Sequence, residues 1–169
     1  LTEAAGIDLA RAFLYLKIAT QVGVDRIEVD RAGPSYAIDT VKALRERFGE
    51  SASLTWLMGA DSLITLPSWS SWEKLSQYVN FAVATRPHHD LKQQISPEIS
   101  QFLKDHQTND AAALEKSAAG LIYIDESLSV DLSSTELRDQ LKSSARSTIA
   151  SEQIPTHTLE IITNLGLYQ

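Results

Sequence analysis

The stretch Leu54-Thr55-Trp56-Leu57-Met58 runs straight into Gly59-Ala60-Asp61-Ser62-Leu63, and this junction constrains the chain more than any other segment. Its first half carries no charge and is apolar except for one threonine, which predicts a strand buried within a sheet. Its second half switches to a glycine, a small residue and an aspartate ahead of more apolar residues, which predicts a helix start. Strand passing directly into helix is the repeating unit of an open α/β sheet, whose ligands settle beyond the carboxyl ends of the strands. Gly59 lets a bound group approach the backbone closely, and Asp61 can accept hydrogen bonds from a pair of sugar hydroxyls. The same Gly-x-Asp pattern is also an ordinary helix start with Asp61 as N-cap.

The rest of the chain extends this alternation. Asp8 to Thr20 predicts a helix and Arg26 to Val29 a short strand. Tyr36 to Phe48 is the clearest helix, with Ser35 as N-cap and Ile38, Val41, Leu44 and Phe48 on one face. Lys42, Arg45, Glu46 and Arg47 then face water, and Gly49 suits the position just past the end. Ser70-Ser71-Trp72-Glu73 fits a capping box opening a helix to about Tyr78, and Phe81 to Thr85 is a second strand. The polar region 88–120, with a modest helix from Pro97 to Asp105, reads as an insertion on the rim. Leu121 to Asp125 returns to strand, Ser133 to Glu136 is a second capping box, and Pro155 to Leu165 is a C-terminal helix stopped by Gly166. The expected fold class is α/β, a Rossmann-like parallel sheet with helices on both faces, in a single domain over residues 1–169.

Composition removes several functions. With 43% apolar residues, 169 positions suffice for a real core. A net charge of −7 argues against a nucleic-acid partner, though a small anionic ligand needs only a few local donors. The absence of cysteine removes disulfides, thiolate chemistry and Cys-built metal sites. His88 and His89 are adjacent and His106 and His157 are scattered, so no histidine metal site is expected, and no metal ligands are assigned. No stretch approaches a membrane span, so no membrane partner and a cytoplasmic location are expected. The Gly-x-Gly-x-x-Gly dinucleotide fingerprint is absent, so a dehydrogenase has no support. Asp125, Glu126 and Asp131 are loop carboxylates, and no Ser/His/Asp set, hence no catalytic side chain, can be assigned.

Four further segments could carry ligand contacts. Trp69 either plugs the sheet edge or offers an aromatic plane beside the backbone N–H groups around Ser70, suited to a flat ring bearing a carboxylate. Arg86, directly before Pro87, is either a surface arginine or a planar fork for phosphate at the sheet edge. Ser133, Ser134, Thr135 and Arg138 are either a plain capped helix start or a phosphate site of hydroxyls, amides and one guanidinium. Gly33 to Thr40, including Tyr36 and Ala37, opens the amphipathic helix and is explained by structure alone. Trp56 and Trp72 read as packing residues.

Taken together, Arg31-Ala32-Gly33-Pro34-Ser35-Tyr36, Gly59-Ala60-Asp61-Ser62-Leu63, Pro67-Ser68-Trp69, Arg86-Pro87, Leu132-Ser133-Ser134-Thr135-x-Leu137-Arg138 and Gly166-Leu167-Tyr168 resemble the bacterial nicotinate-nucleotide adenylyltransferases of the nucleotidyltransferase superfamily. The segments keep the family's order and approximate spacing from about residue 9 onward. The resemblance implies transfer of the adenylyl group of ATP to nicotinate mononucleotide, giving deamido-NAD and pyrophosphate, with Mg²⁺ as cofactor. It implies that Trp69 stacks on the nicotinate ring while Tyr36 and the backbone around Ala37 and Ser70 line its carboxylate. Arg86 would hold the mononucleotide phosphate, Gly59 and Asp61 the ribose and base, and Ser133, Ser134, Thr135 and Arg138 the ATP phosphates. ATP and nicotinate mononucleotide are the implied partners, and a homo-oligomer is left open.

Two departures accompany the resemblance. The family's N-terminal Gly-rich segment ending in His-x-Gly-His is not in the sequence, which begins at Leu1, so the natural chain is expected to extend further in that direction. Ala37 stands where many relatives carry threonine, removing one hydroxyl contact to the carboxylate. The competing readings are a pantetheine-phosphate or cytidylyl transferase, against which the Pro-Ser-Trp segment argues, and a nucleotide-binding module without catalysis.

Overall fold

The computed structural model describes residues 23–85, 91–126, 139, 141, 142, 154 and 156–167. Contacts divide the chain into two compact units, one of Leu1–Asp30 with Leu132–Gln169 and one of Arg31–Asp131.

The second unit opens with helix α1, Ala37–Phe48, followed by strand β1, Thr55–Gly59, and the short helix α2, Ala60–Thr65. A 3-10 turn, Leu66–Ser68, and a 3-10 helix, Trp72–Gln77, lead into β2, Asn80–Ala84. Then come α3, Leu91–Gln94; α4, Pro97–His106; β3, Gln107–Thr108; α5, Ala112–Lys116; and β4, Ile122–Asp125. The four strands form one sheet in the order β1-β2-β4-β3 with all pairs parallel, the expected α/β, Rossmann-like arrangement.

Register explains which face holds the core. Trp56 pairs with Phe81 and Phe81 with Ile122, while Met58 pairs with Val83 and Val83 with Ile124, so these six side chains share one face. Met58, Phe81, Val83 and Ile122 are buried there with Ile38 and Val41 of α1, Leu63 of α2, and Leu66, Leu75 and Val79. Burying a side chain such as Leu63 or Phe81 contributes about 1.5–3 kcal/mol. β1 is less enclosed than its composition predicts. Leu57, on the opposite face of this outer strand, is 66% exposed, so only alternate residues of β1 are covered.

The region expected as a rim insertion is described from residue 91. It adds β3 at the outer edge of the sheet and places Ile99, Phe102 and Leu103 in the core. Phe102 meets both Trp72 and Phe81 edge to face, at ring centroid distances of 5.4 and 6.1 Å. The packing reading of Trp72 therefore holds.

Three local expectations are corrected. Residues 26–29 form a turn rather than a strand: Asp30 N–H donates to the Arg26 carbonyl at 2.8 Å, and the two side chains pair at 3.0 Å. The Ser70 capping box does not form. Ser71 takes the N-cap position with φ 54, in the left-handed region, no side chain caps the helix, and it is a 3-10 helix. Arg45 does not face water but is buried, whereas Phe48 is exposed with the Arg47 guanidinium over its ring.

In the first unit, helix α6, Thr156–Asn164, ends at Gly166, whose φ of 61 suits a glycine stop. Leu141, Ile154 and Ile162 form a small core with Leu159 and Leu167 packed on it. The helix expected at Asp8–Thr20 and the capping box at Ser133–Glu136 lie outside the described residues. No helix among the described residues is long and apolar enough to cross a membrane.

Candidate functional site

The strands end together. Gly59 pairs with Ala84, and Ala84 with Asp125, so the last residues of β1, β2 and β4 form one edge of the sheet. Beside Ala84, Thr85 is buried and clamps β2 to β4, with its amide and its hydroxyl both donating to the Asp125 carbonyl at 3.0 and 3.1 Å.

Gly59 is the N-cap of α2, with φ −84 and ψ 165. Any residue adopts that conformation, so the backbone does not require glycine here. A Cβ built on Gly59 meets nothing within 4 Å, so packing does not require it either. What remains is the space itself, open at the carboxyl end of β1, where a ligand can approach the main chain. Asp61 is exposed in the first turn of α2, whose N-cap is Gly59.

Trp69 closes the 3-10 turn, its amide donating to the Leu66 carbonyl at 2.9 Å, while Ser68 Oγ donates to the Thr65 carbonyl at 2.7 Å. Its half-buried indole packs against the core and meets Trp56 edge to face, centroids 6.2 Å apart at 73°. Trp56 precedes Gly59 by three strand residues, roughly 10 Å along β1. Trp69 itself comes after α2 and the 3-10 turn, with its ring beside that of Trp56.

Tyr36 and Ala37 lie at the start of α1. Tyr36 is the N-cap, exposed, with φ −102 and ψ 139, and no side chain caps this helix. Ser35, the expected cap, is otherwise engaged: Arg31 Nη1 donates to Ser35 Oγ and to Thr40 Oγ1, each at 3.2 Å. The Asp39 and Thr40 amides donate instead to the Tyr36 carbonyl, at 3.1 and 3.3 Å. Ser70 is exposed and makes none of the expected capping bonds. Arg86, Ser133, Ser134, Thr135 and Arg138 lie outside the described residues, as do Asp131, His88 and His89.

Among the described residues, no three histidine, aspartate or glutamate side chains converge as a metal site. His106, one of the scattered histidines, is held by the Gly120 carbonyl at 2.7 Å from Nδ1 and packs on Phe102. Sequence reasoning passed over the Trp56–Trp69 contact, whose only signal is that both aromatics flank one strand-helix unit.

A parallel sheet with an open glycine at the end of one strand and an aspartate in the following helix defines an α/β protein of Rossmann-like, nucleotidyltransferase type. Three curated proteins named "Probable nicotinate-nucleotide adenylyltransferase" are similar to the chain. That of Aeromonas salmonicida is 38% identical over 146 residues, covering 86% of this chain and 65% of the relative. That of Chromobacterium violaceum is 39% identical over 128 residues, 76% of this chain and 59% of the relative. That of Pectobacterium atrosepticum is 34% identical over 146 residues, 86% of this chain and 67% of the relative. The chain belongs to the nicotinate-nucleotide adenylyltransferase family. It spans 53–67% of the length of the curated relatives it matches. No family model matches the chain.

Proposed function

We propose that the protein transfers the adenylyl group of ATP to nicotinate mononucleotide. A phosphate oxygen of the mononucleotide forms a bond to the α-phosphorus of ATP, the α–β bridging P–O bond breaks, and pyrophosphate leaves with deamido-NAD as the other product. Such a displacement needs no protein nucleophile; it needs two nucleotides aligned and the developing charge neutralised.

The observation that carries this reading is Gly59, a glycine that neither its backbone angles nor its packing calls for, at the strand end where this sheet type leaves room for a ligand. Gly59 and Asp61 contact the ribose and base of ATP. Trp69, whose ring lies beside that of Trp56 in β1, stacks on the nicotinate ring. The carboxylate of the ring lies toward Tyr36, Ala37 and Ser70. The N-terminal end of α1, a 12-residue helix, offers it a favourable dipole, offsetting the hydroxyl that Ala37 lacks. Arg86 holds the mononucleotide phosphate, and Ser133, Ser134, Thr135 and Arg138 hold the triphosphate. Mg²⁺ would be held by the ATP phosphate oxygens, where it would supply charge neutralisation. Use of ATP supports a cytoplasmic location.

The test is pyrophosphate release from ATP with nicotinate mononucleotide and, separately, with its nicotinamide counterpart. Turnover that prefers the nicotinate form is the expected result. Tight binding of both nucleotides without turnover would replace this reading with a binding module.

A further inference from the structure

Trp69 has a fixed main chain but no regular element to hold its side chain, since it sits where the 3-10 turn Leu66–Ser68 gives way to extended backbone at φ −80 and ψ 144. Its half-buried indole packs on the core, and the Trp56 ring is one of the contacts that set its plane. A ring that is ordered only when a ligand arrives costs binding about 0.5–1.5 kcal/mol per immobilised side chain, which is a factor of roughly 2 to 12 in affinity.

Trp56 is the opposite case. It lies within β1, where the parallel ladder sets its backbone in register with Phe81, and its half-buried side chain packs on the same core face as Met58. Its ring meets Trp69 at 6.2 Å and 73°, within the edge-to-face geometry that aromatic quadrupoles favour. The ladder fixes the backbone of the strand residue, and its ring gives the turn residue an aromatic surface to pack on.

We infer that Trp56 is a positioning residue: through its edge-to-face contact it holds the Trp69 indole in its ligand-ready plane before the substrate ring arrives. This rests on the reading that Trp69 stacks on nicotinate mononucleotide. Trp56 itself touches no substrate, and its effect falls on the mononucleotide alone. ATP is held from Gly59 onward, at the other end of the strand.

The test compares Trp56→Leu, Trp56→Ile, Trp56→Phe and Trp69→Leu in the intact protein; isoleucine suits a strand, so the comparison survives if the leucine variant fails to fold. Two readouts are taken: KM for each substrate with kcat, and the bisignate circular-dichroism band that two coupled indoles produce. Trp56→Leu and Trp56→Ile are expected to raise the mononucleotide KM roughly 2- to 12-fold, with ATP KM and kcat unchanged. Each should abolish the same dichroism band that Trp69→Leu abolishes. Trp56→Phe, which keeps an aromatic edge in place, should restore a KM near that of the parent.

If Trp69→Leu raises the mononucleotide KM but the aliphatic Trp56 variants do not, the positioning role is overturned and the stacking role survives. Equal losses for ATP and mononucleotide in the Trp56 variants would mark a general packing role and overturn it as well. If Trp69→Leu leaves the mononucleotide KM unchanged, the stacking reading itself falls and takes this inference with it.

Discussion

The Asn80 side-chain oxygen accepts the backbone amide of Leu121 at 2.9 Å, while its nitrogen donates to the carbonyls of Leu114 and Ser117 at 3.2 and 2.8 Å. Asn80 is fully buried at the first position of β2, and its own amide donates to the Leu54 carbonyl. One residue thus joins the entrances of β1, β2 and β4, so the opposite ends of the strands, where the candidate site lies, stay in register.

Asn80→Ala removes these partners from one amide and two carbonyls, of which the Leu114 carbonyl keeps its 2.6 Å bond from Ser53 Oγ. The expected loss is about 2–4 kcal/mol, seen as a lower denaturant midpoint at unchanged slope. Asn80→Asp keeps the acceptor but loses both donors and sets a carboxylate against two carbonyls. Its folded pKa is then raised, because only the protonated acid can donate to them. Relative to the parent, this variant should regain stability as pH falls through that raised pKa. A penalty independent of pH would contradict the bonding pattern.

Arg45 performs the same joining task on the α1 side. Its guanidinium donates to the carbonyls of Gly49, Glu50, Ala52, Tyr78 and Ala118, with the side chain 4% exposed. A planar fork can serve five acceptors spread around it; an ammonium is a single point with three donors. Arg45→Lys should therefore cost about 1–3 kcal/mol, and Arg45→Met more, because methionine supplies no donor at all. For a chain of this size each kcal/mol lowers the melting temperature by about 2–4 °C. A methionine variant as stable as the parent would mean that these carbonyls are satisfied without the guanidinium.

Much of this architecture was legible in the sequence because apolar runs and helical spacing report burial directly. β1, β2, β4, α1, α4 and α6 all fall where those patterns place them. The misses have a common cause: tertiary contacts overrode local rules. Arg45 lies seven residues after Ile38 and four after Val41, squarely on the buried face, yet its charge argued for solvent. Only the spare carbonyls of distant loops reverse that expectation. Ser35 and the serine pair at Ser70 and Ser71 have the chemistry of caps, but Arg31 takes the first and the packing of Trp72 on Phe102 goes with a left-handed Ser71 beside the second. At the candidate site, Gly59 and Asp61 were legible from strand-to-helix punctuation. The dependence of Trp69 on Trp56 was not, because it is a contact between residues thirteen positions apart with no periodic signature.

Ser96 offers a pH-dependent test on α4. Its hydroxyl caps the helix by accepting the Ile99 amide at 3.4 Å. The Glu98 carboxyl is held below its ordinary value, first by a hydrogen bond from Ser96 and then by its own backbone amide. A depressed carboxylate pKa stabilises the fold fully above the unfolded value, and the benefit disappears as pH falls through the folded value. Ser96→Ala should let the Glu98 pKa rise toward that of a free glutamate, followed by carboxyl chemical shifts during titration. The lost cap should cost about 0.5–2 kcal/mol at neutral pH. The gap between variant and parent should narrow in acid, and an unmoved Glu98 titration would remove the Ser96 contact as its cause.

Gly59 gives the sharpest separation between folding and function. Since φ is −84 and an added Cβ meets nothing within 4 Å, Gly59→Ala introduces neither strain nor a clash. Alanine also restricts the unfolded chain, so stability should stay within about 0.5 kcal/mol of the parent or rise slightly. A ligand that approaches the main chain at this point would meet the new methyl group. The ATP KM is therefore expected to rise about tenfold, or ~1.4 kcal/mol, while the melting temperature without ligand stays put. The mononucleotide KM should change much less, because its ring is held at Trp69. Unaltered ATP binding in a normally folded Gly59→Ala protein would show that no ligand comes this close, and the nucleotide would then have to lie elsewhere along the strand ends.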